Sequence, residues 1–269
     1  MEMKDRLARS AAERKTILCF GMDPDHERIM KAVSAGDEIE ETIGPFFHDI
    51  VDRLLEENAV SALKPNYAYF AQYGFDGLYV LEELIQHYKE KVPVILDAKR
   101  GDIGKSSEAY AREAYEFWGA DAVTISPYMG EDSVRPFVRE GKLAYMLCRT
   151  SNAGARDFEE LKAGNKPVFE YVAEKALAWK TGLVVGATSD SIKRIAKLTK
   201  DSVPFLIPGI GSQGGDLKMV MDAVKGNPAI HRINASSSIA YAFERSGGNA
   251  ATSAVKEALK LNEVIRKYL

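Results

Sequence analysis

Eight short runs rich in apolar and β-branched residues recur along the chain, at residues 17–23, 62–66, 94–99, 122–127, 144–150, 183–188, 205–210 and 230–236. They are continuous rather than alternating, which implies burial on both faces and therefore a parallel sheet covered by helices. Between them the apolar positions take the spacing of helices, at residues 42–58, 78–88, 108–118, 166–179, 191–200 and 216–225, and residues 251–269 close the chain. The first fifteen residues, MEMKDRLARSAAERK, read as a charged amphipathic helix. Strand and helix alternate throughout, so the pattern predicts an α/β fold, a (β/α)8 TIM barrel in a single domain over residues 1–269 with an N-terminal helix. The weakest elements are a short helix near residues 131–139 and a long loop at residues 151–165, and a doubly wound open sheet is the alternative.

Composition narrows the class. A chain of 269 residues that is 46% hydrophobic can bury one large core. Its 36 basic and 39 acidic residues give a net charge of -3, which suggests neither a nucleic-acid footprint nor an acidic tail, and a small polar ligand is expected rather than a polymer. The N-terminus lacks the apolar stretch of a signal peptide and no run of eighteen uncharged apolar residues occurs, so no membrane role is expected. Cys19 and Cys148 both sit inside apolar runs, without metal-ligand or disulfide spacing, and read as core cysteines of a reduced, cytoplasmic protein. His26, His48, His87 and His231 are scattered along the chain without metal-ligand spacing, so most are expected to be surface or partly buried structural residues, and the sequence points to no metal.

In a barrel, the carboxyl ends of the strands converge on one mouth, where active sites are built. Here those ends carry Asp23, Lys64, Asp97 with Lys99, Ser126, Ser151, Thr188, the glycine-rich PGIGSQGG at residues 208–215, and NASSS at residues 234–238. Asp97 and Lys99 stand two apart on one strand, so their side chains should project from one face. Past Gly101, where the chain can turn, lies Asp102, and Ser106 or Ser107 is placed to cap the next helix with Glu108 in its first turn. Charge alone does not separate an active site from an ion-pair network that plugs the mouth. Clustered buried charge is a poor route to stability, however, which favours a functional purpose. The glycine-rich turn after the seventh strand offers backbone amides where barrels bind phosphate. Tyr67, Tyr69, Phe70 and Tyr73 follow the second strand and are expected mainly to pack on the rim.

The segment LDAKRGDIGKSS resembles the signature of the orotidine 5′-phosphate decarboxylase family, in its longer bacterial and archaeal branch. Similar segments extend through most of the chain: FGMDPD, ALKPN, ISPYMGEDSVRPF, RTSNAGARDF, VVGAT and PGIGSQGGD. The resemblance implies decarboxylation of orotidine 5′-monophosphate without a cofactor, in pyrimidine synthesis, by a homodimer. It implies that Lys99 gives a proton to pyrimidine C6 and that Asp97 lies against the departing carboxylate. Asp102 would reach across the dimer interface into the neighbouring site, with Ser106 beside it near the ribose. Asp23 and Lys64 would complete the charged chain at the other ribose hydroxyl, and Ser151 would face the pyrimidine edge. Gln213 and nearby amides would hold the phosphate, with Ile103, Pro208, Gly209, Ser236 and Ser237 also among the substrate-binding positions. One position departs from the family pattern, because Ser237 stands where an arginine usually grips the phosphate. Either phosphate affinity is reduced, or Arg149, Arg156 or Arg245 substitutes. Two alternatives accompany this reading: a metal-dependent sugar-phosphate lyase or aldolase of a related barrel, and a pyrimidine-nucleotide-binding protein without turnover.

Overall fold

A computed structural model describes residues 2–33, 38–188, 190–211 and 216–269. The eight apolar runs form eight strands: β1 (Leu18–Met22), β2 (Ala62–Pro65), β3 (Ile95–Arg100), β4 (Ala122–Ile125), β5 (Leu143–Arg149), β6 (Gly182–Val185), β7 (Phe205–Ile207) and β8 (Arg232–Ala235). Every pairing between neighbours is parallel, and β1 pairs with both β2 and β8. Two parallel bridges, Leu63 to Val94 and Asn66 to Asp97, join β2 to β3, so the sheet closes on itself as a barrel. Closure removes the edges that an open doubly wound sheet would leave.

The main helices around it are α1 (Met3–Arg14), α2 (Ile39–Glu56), α3 (Gly74–Tyr88), α4 (Gly104–Arg112), α5 (Val168–Trp179), α6 (Ser191–Thr199), α7 (Leu217–Val224) and α8 (Ala250–Ile265). Two regions are more structured than the sequence pattern suggests. The long loop after β5 holds a short helix, Ala155–Phe158, and a hairpin pairing Lys162–Ala163 with Lys166–Pro167. The helix expected over residues 108–118 starts earlier and ends as a π-helical turn, Glu113–Phe117. There Glu113 accepts hydrogen bonds from Arg100 of β3 (2.6 Å) and from the indole of Trp118 (3.1 Å), which ties the turn to the barrel. Among the described residues, no helix is long and apolar enough to cross a membrane.

Along each strand, alternate residues point into the barrel, and two inward layers result. The lower is apolar apart from one residue: Cys19, Ala62, Ile95, Ala122, Tyr145, Val184 and Leu206 cluster with Met3 and Leu7 of α1, which plugs the bottom. The exception is Arg232 of β8, fully buried, whose guanidinium donates to the carbonyls of Leu7, His231 and Ala229. Burial lowers its pKa to about 10, and the three carbonyl acceptors compensate the charge. The helix is also held by Arg6 on Asp121 and by Ser10 on the Ser61 carbonyl at 2.8 Å.

His231, beside Arg232, is wholly buried rather than at or near the surface, and its Nδ1 accepts the backbone N–H of Phe205 at 3.0 Å. That bond requires the neutral ring, and burial together with Arg232 pushes the imidazole pKa down to about 3. An unfolded imidazole titrates near 6.5, so between these values the unfolded chain binds the extra proton and stability falls with falling pH. Lowering pH from about 7 to about 4.5 should therefore remove about 2 to 3 kcal/mol through this one group. Urea unfolding of wild type and of His231→Asn, which keeps an acceptor for Phe205, checks it: the variant's stability should depend less on pH over this interval by that amount, and parallel curves would assign the acid sensitivity elsewhere.

Candidate functional site

Two residues beyond each member of the apolar layer comes the upper layer, and there the chemistry changes. Ala62 gives way to Lys64, Ile95 to Asp97, Ala122 to Thr124, Leu206 to Pro208 and Arg232 to Asn234. All of these line one cavity of about 680 Å³ at the carboxyl mouth of the barrel, a size suited to a small polar ligand.

At its floor is a chain of opposite charges. Asp97 is buried and accepts three hydrogen bonds: from Lys64 Nζ at 3.0 Å, Lys99 Nζ at 2.7 Å and Thr124 Oγ1 at 2.8 Å. Lys64 Nζ lies 3.7 Å from Asp23 Oδ1 on its other side, so the order is Asp23, Lys64, Asp97, Lys99. Burial raises the pKa of Asp97, but the charges of Lys64 and Lys99 and the hydrogen bonds from Lys99 and Thr124 outweigh it and hold the carboxyl well below its usual range. Burial likewise works against the Lys64 ammonium, and Asp97 and Asp23 reverse that, raising its pKa above the usual lysine value. The Lys99 side chain is half exposed and reaches the cavity.

Lys99 gains this position through backbone geometry. Its φ is +47°, a left-handed conformation that costs a non-glycine residue of order 1 kcal/mol, and the β3–β4 register shifts between Leu96 and Arg100. Thr124 compensates by accepting the Lys99 N–H at 3.0 Å as well as donating to Asp97. Strand spacing alone therefore anticipates the shared face of Asp97 and Lys99 but not the bend that aims the ammonium. That bend is made at Lys99 itself, and a second left-handed residue, Gly104 (φ +52°), follows at the start of α4. Gly101 serves a different need: a Cβ there would stand 3.2 Å from the Ser126 side chain.

Asp23, Lys64, Asp97, Lys99, Ser151, Pro208, Gly209, Ser236 and Ser237 all line the cavity. Asp102, Ile103 and Ser106 do not. They follow β3 on the outside, where Asp102 accepts the N–H of Ile103 at 2.8 Å and the Ile103 side chain is 55% exposed. Gln213 lies outside the described residues. The expected helix cap is also corrected: α4 begins at Gly104 with Ile103 as N-cap and no side-chain cap. Ser107 is instead buried and donates to the Ser133 carbonyl at 2.6 Å, Ser106 is exposed, and Glu108 falls beyond the first turn.

Among the cavity residues, Arg28, Thr124 and Tyr241 escape a linear reading, while Asn66 and Asn234 fall within the ALKPN and NASSS segments without having been singled out. Thr124 was accessible in principle, since it stands two residues past Ala122 of the lower layer. Of the four aromatics after β2, Tyr69 lines the cavity while Phe70 is buried. Tyr67 lies under the Arg100 guanidinium at 4.3 Å, and Tyr73 accepts the His26 N–H at 3.0 Å. Three buried polar atoms around the mouth lack a hydrogen-bond partner: Asp23 Oδ1, Asn234 Oδ1 and Ser238 Oγ. Buried polar groups are rarely left so without a ligand or water to complete them.

The turn after β7 brings Pro208, Gly209 and Ile210 to the cavity wall. Gly209 and Gly211 have φ of +103° and +90°, and a Cβ on Gly211 would come within 2.6 Å of Ser238 Oγ. None of the three arginines considered as substitutes lines the cavity. Arg149 is bound to Glu160 at 2.7 Å, and Arg245 donates to the Ser238 carbonyl at 2.9 Å just behind Ser237. The arginine at the cavity wall is Arg28, stacked 3.7 Å over the Tyr241 ring and paired with Glu244 at 2.6 Å.

The chain and its fold have counterparts among known proteins. The chain is 41% identical over 271 residues to an orotidine 5′-phosphate decarboxylase of Ralstonia nicotianae, covering 97% of each chain. It is 42% identical over 260 residues to the protein of that name from Delftia acidovorans, with 91% of each covered. Among solved structures, the OMP decarboxylase of Leishmania donovani superposes with a TM-score of 0.78 at 32% identity, covering 99% of this chain and all of that one. A family description, orotidine 5′-phosphate decarboxylase / HUMPS, matches residues 16–246. By this match and by its near full-length relatives, the chain belongs to the orotidine 5′-phosphate decarboxylase family.

Proposed function

We propose that this protein decarboxylates orotidine 5′-monophosphate to uridine 5′-monophosphate, a step of pyrimidine synthesis, and that Lys99 is the proton donor. The observation that carries the assignment of residues is the Asp23, Lys64, Asp97, Lys99 chain at the cavity floor. In this reaction the bond from C6 to the carboxyl carbon breaks, carbon dioxide leaves, and the electron pair stays on C6. No electron sink is available in the ring, so fixed charge must stabilise the carbanion. The Lys99 ammonium is the cation at the open end of the chain, free to approach C6, first as a counter-charge and then as the acid that supplies its proton. Exposure lets the amine recover a proton from solvent. Asp97, held ionised by its three donors, keeps the ammonium in place and would stand against the departing carboxylate.

The remaining parts follow the same logic. Asp23, with an oxygen to spare, suits a ribose hydroxyl, and Ser151 suits the pyrimidine edge. The Pro208, Gly209, Ser236 and Ser237 wall suits the phosphate, whose binding energy would order the site. Asp102, Ile103 and Ser106 face outward with the exposed Tyr128 and Met129 nearby on the same rim, as expected if a homodimer partner receives them. The metal-dependent lyase reading is less well supported, because both oxygens of Asp97 are already occupied by lysine and threonine donors. The cytoplasm fits this function, and the buried free thiols Cys19 and Cys148, the former pushed by burial to a pKa of about 12, fit a reducing compartment.

Three measurements test the reading. Chelator-treated protein mixed with orotidine 5′-monophosphate should convert it, followed by ultraviolet absorbance, and Lys99→Ala should lower kcat by at least about 100-fold, the contribution of a positioned general acid. Its fold should survive, since Asp97 keeps Lys64 and Thr124, and KM should move less than kcat. Retention of most activity would remove Lys99 from the donor role.

Inactive Asp102→Ala and inactive Lys99→Ala chains, mixed and allowed to exchange, should form hybrids with one intact site and one doubly defective site. With random exchange, activity should return to about a quarter of the wild-type level. Verified hybrids with no recovery would mean that Asp102 serves its own chain.

Ser237→Arg should lower KM for the nucleotide by roughly tenfold, the surplus of a charged hydrogen bond over a neutral one. Titration with uridine monophosphate and with uridine separates the contributions. A gain confined to the phosphorylated ligand is expected, whereas equal changes for both would take Ser237 out of the phosphate site.

A further inference from the structure

On the outer surface of the barrel, helices α2 and α3 bring together residues that lie far apart in the chain. His48 of α2 meets Glu83 and His87 of α3, and one ligand atom from each lies within 4.8 Å of the others. Glu83 and His87 are one helical turn apart and so share a face. The two imidazole rings touch edge to face with centroids at 4.9 Å. None of the three residues lines the cavity at the barrel mouth. For His48 and His87, the apparent scatter is thus a property of the linear order only.

The hydrogen bonds around His48 specify its state. Its Nδ1 lies 2.8 Å from the hydroxyl of Tyr88, and that hydroxyl donates its single proton to Asp52 Oδ1 at 2.9 Å. With its proton committed to Asp52, the phenol oxygen can only accept from His48, so Nδ1 carries the hydrogen. The neutral ring then presents a lone pair at Nε2. That lone pair points at the Glu83 carboxylate, 2.7 and 2.8 Å from its two oxygens. Two groups rich in lone pairs face each other, and something positive must lie between them, either a proton or a metal ion. A hydrogen-bond acceptor on the ring nitrogen away from the site, itself anchored to the half-buried Asp52 carboxylate, fixes the tautomer and orientation of the imidazole as outer-shell partners do for metal-bound histidines.

His87 gives a second indication. Its Nε2 is already an acceptor for a cation, the Lys91 ammonium at 2.7 Å. Lys91 is exposed, so its side chain can leave at small cost and the metal can take its place. Two imidazoles and one carboxylate form a donor set suited to zinc and neighbouring late first-row divalent ions, with further positions open to water.

We propose that His48, Glu83 and His87 form a binding site for a divalent transition-metal ion, zinc foremost, that links α2 to α3 on the outside of the barrel. The site is independent of the decarboxylase reading, since it shares no residue with the cavity. Titrating chelator-stripped full-length protein with zinc chloride by calorimetry tests it, with cobalt as a spectroscopic probe of nitrogen and oxygen ligation. One equivalent should bind, and His48→Ala or His87→Ala should each weaken it by more than about 100-fold, beyond the loss typical of an outer-shell change. Tyr88→Phe removes the group that orients His48 and should cost about 10-fold or more, while Lys91→Met should tighten binding by removing the competing cation. Turnover of orotidine 5′-monophosphate by His87→Ala should match wild type whether or not zinc is present. Zinc binding that is undetectable in wild type, or that survives the double histidine substitution, would overturn the site and leave a proton as the bridge. Unchanged affinity in Tyr88→Phe would overturn the argument from His48.

Discussion

A buried carboxylate must be paired, and much of the upper barrel is organised around meeting that requirement for Asp97. Three neighbouring strands contribute: β2 sends Lys64, β3 sends Lys99, and β4 sends Thr124. Removing one partner from a buried ion pair typically costs about 3 to 5 kcal/mol, so these contacts hold the rim of the barrel as well as the site. The left-handed backbone at Lys99 and the register shift beside it are local costs of the same requirement. Without that bend the ammonium would not lie beside Asp97 while remaining open to the cavity.

Stability is concentrated elsewhere, one layer lower. The closed sheet, the apolar layer from Cys19 to Leu206 and the α1 plug form a base that owes nothing to the charges above it. Arg232 and His231 are the polar members of that base: main-chain atoms pair with both terminal nitrogens of Arg232 and with His231 Nδ1, while Arg232 Nε and His231 Nε2 are left without a hydrogen-bond partner. The separation into layers lets an apolar foundation support a locally strained rim. The same separation leaves the outer helices free to carry chemistry of their own, as at the meeting of His48 with Glu83 and His87.

The eight strands and most helices were legible because burial on both faces, or on one helical face, leaves its mark in the apolar pattern of a short contiguous segment. Asp23, Lys64, Asp97 and Lys99 were legible because strand ends in a barrel converge by topology, so a list of strand ends is already a list of neighbours. The cap expected at Ser106 or Ser107 was misjudged because Ser107 found a tertiary acceptor in Ser133, which outweighed the local preference. Arg28 and Tyr241 were hidden because they reach the cavity from segments more than two hundred residues apart, joined by a ring contact that no spacing encodes.

The sequence by itself therefore determined the class of fold, the order of its elements, the charged strand ends and the family, since all of these rest on periodicity and on short contiguous motifs. Only the tertiary structure decided which atoms of Asp97 each partner takes, that Lys99 bends out of the strand and that Arg28 rather than Arg149, Arg156 or Arg245 stands at the cavity wall. It alone also brought two distant histidines to one carboxylate. Those outcomes depend on distances between residues remote in the chain, and such distances come into being when the barrel closes and its helices pack.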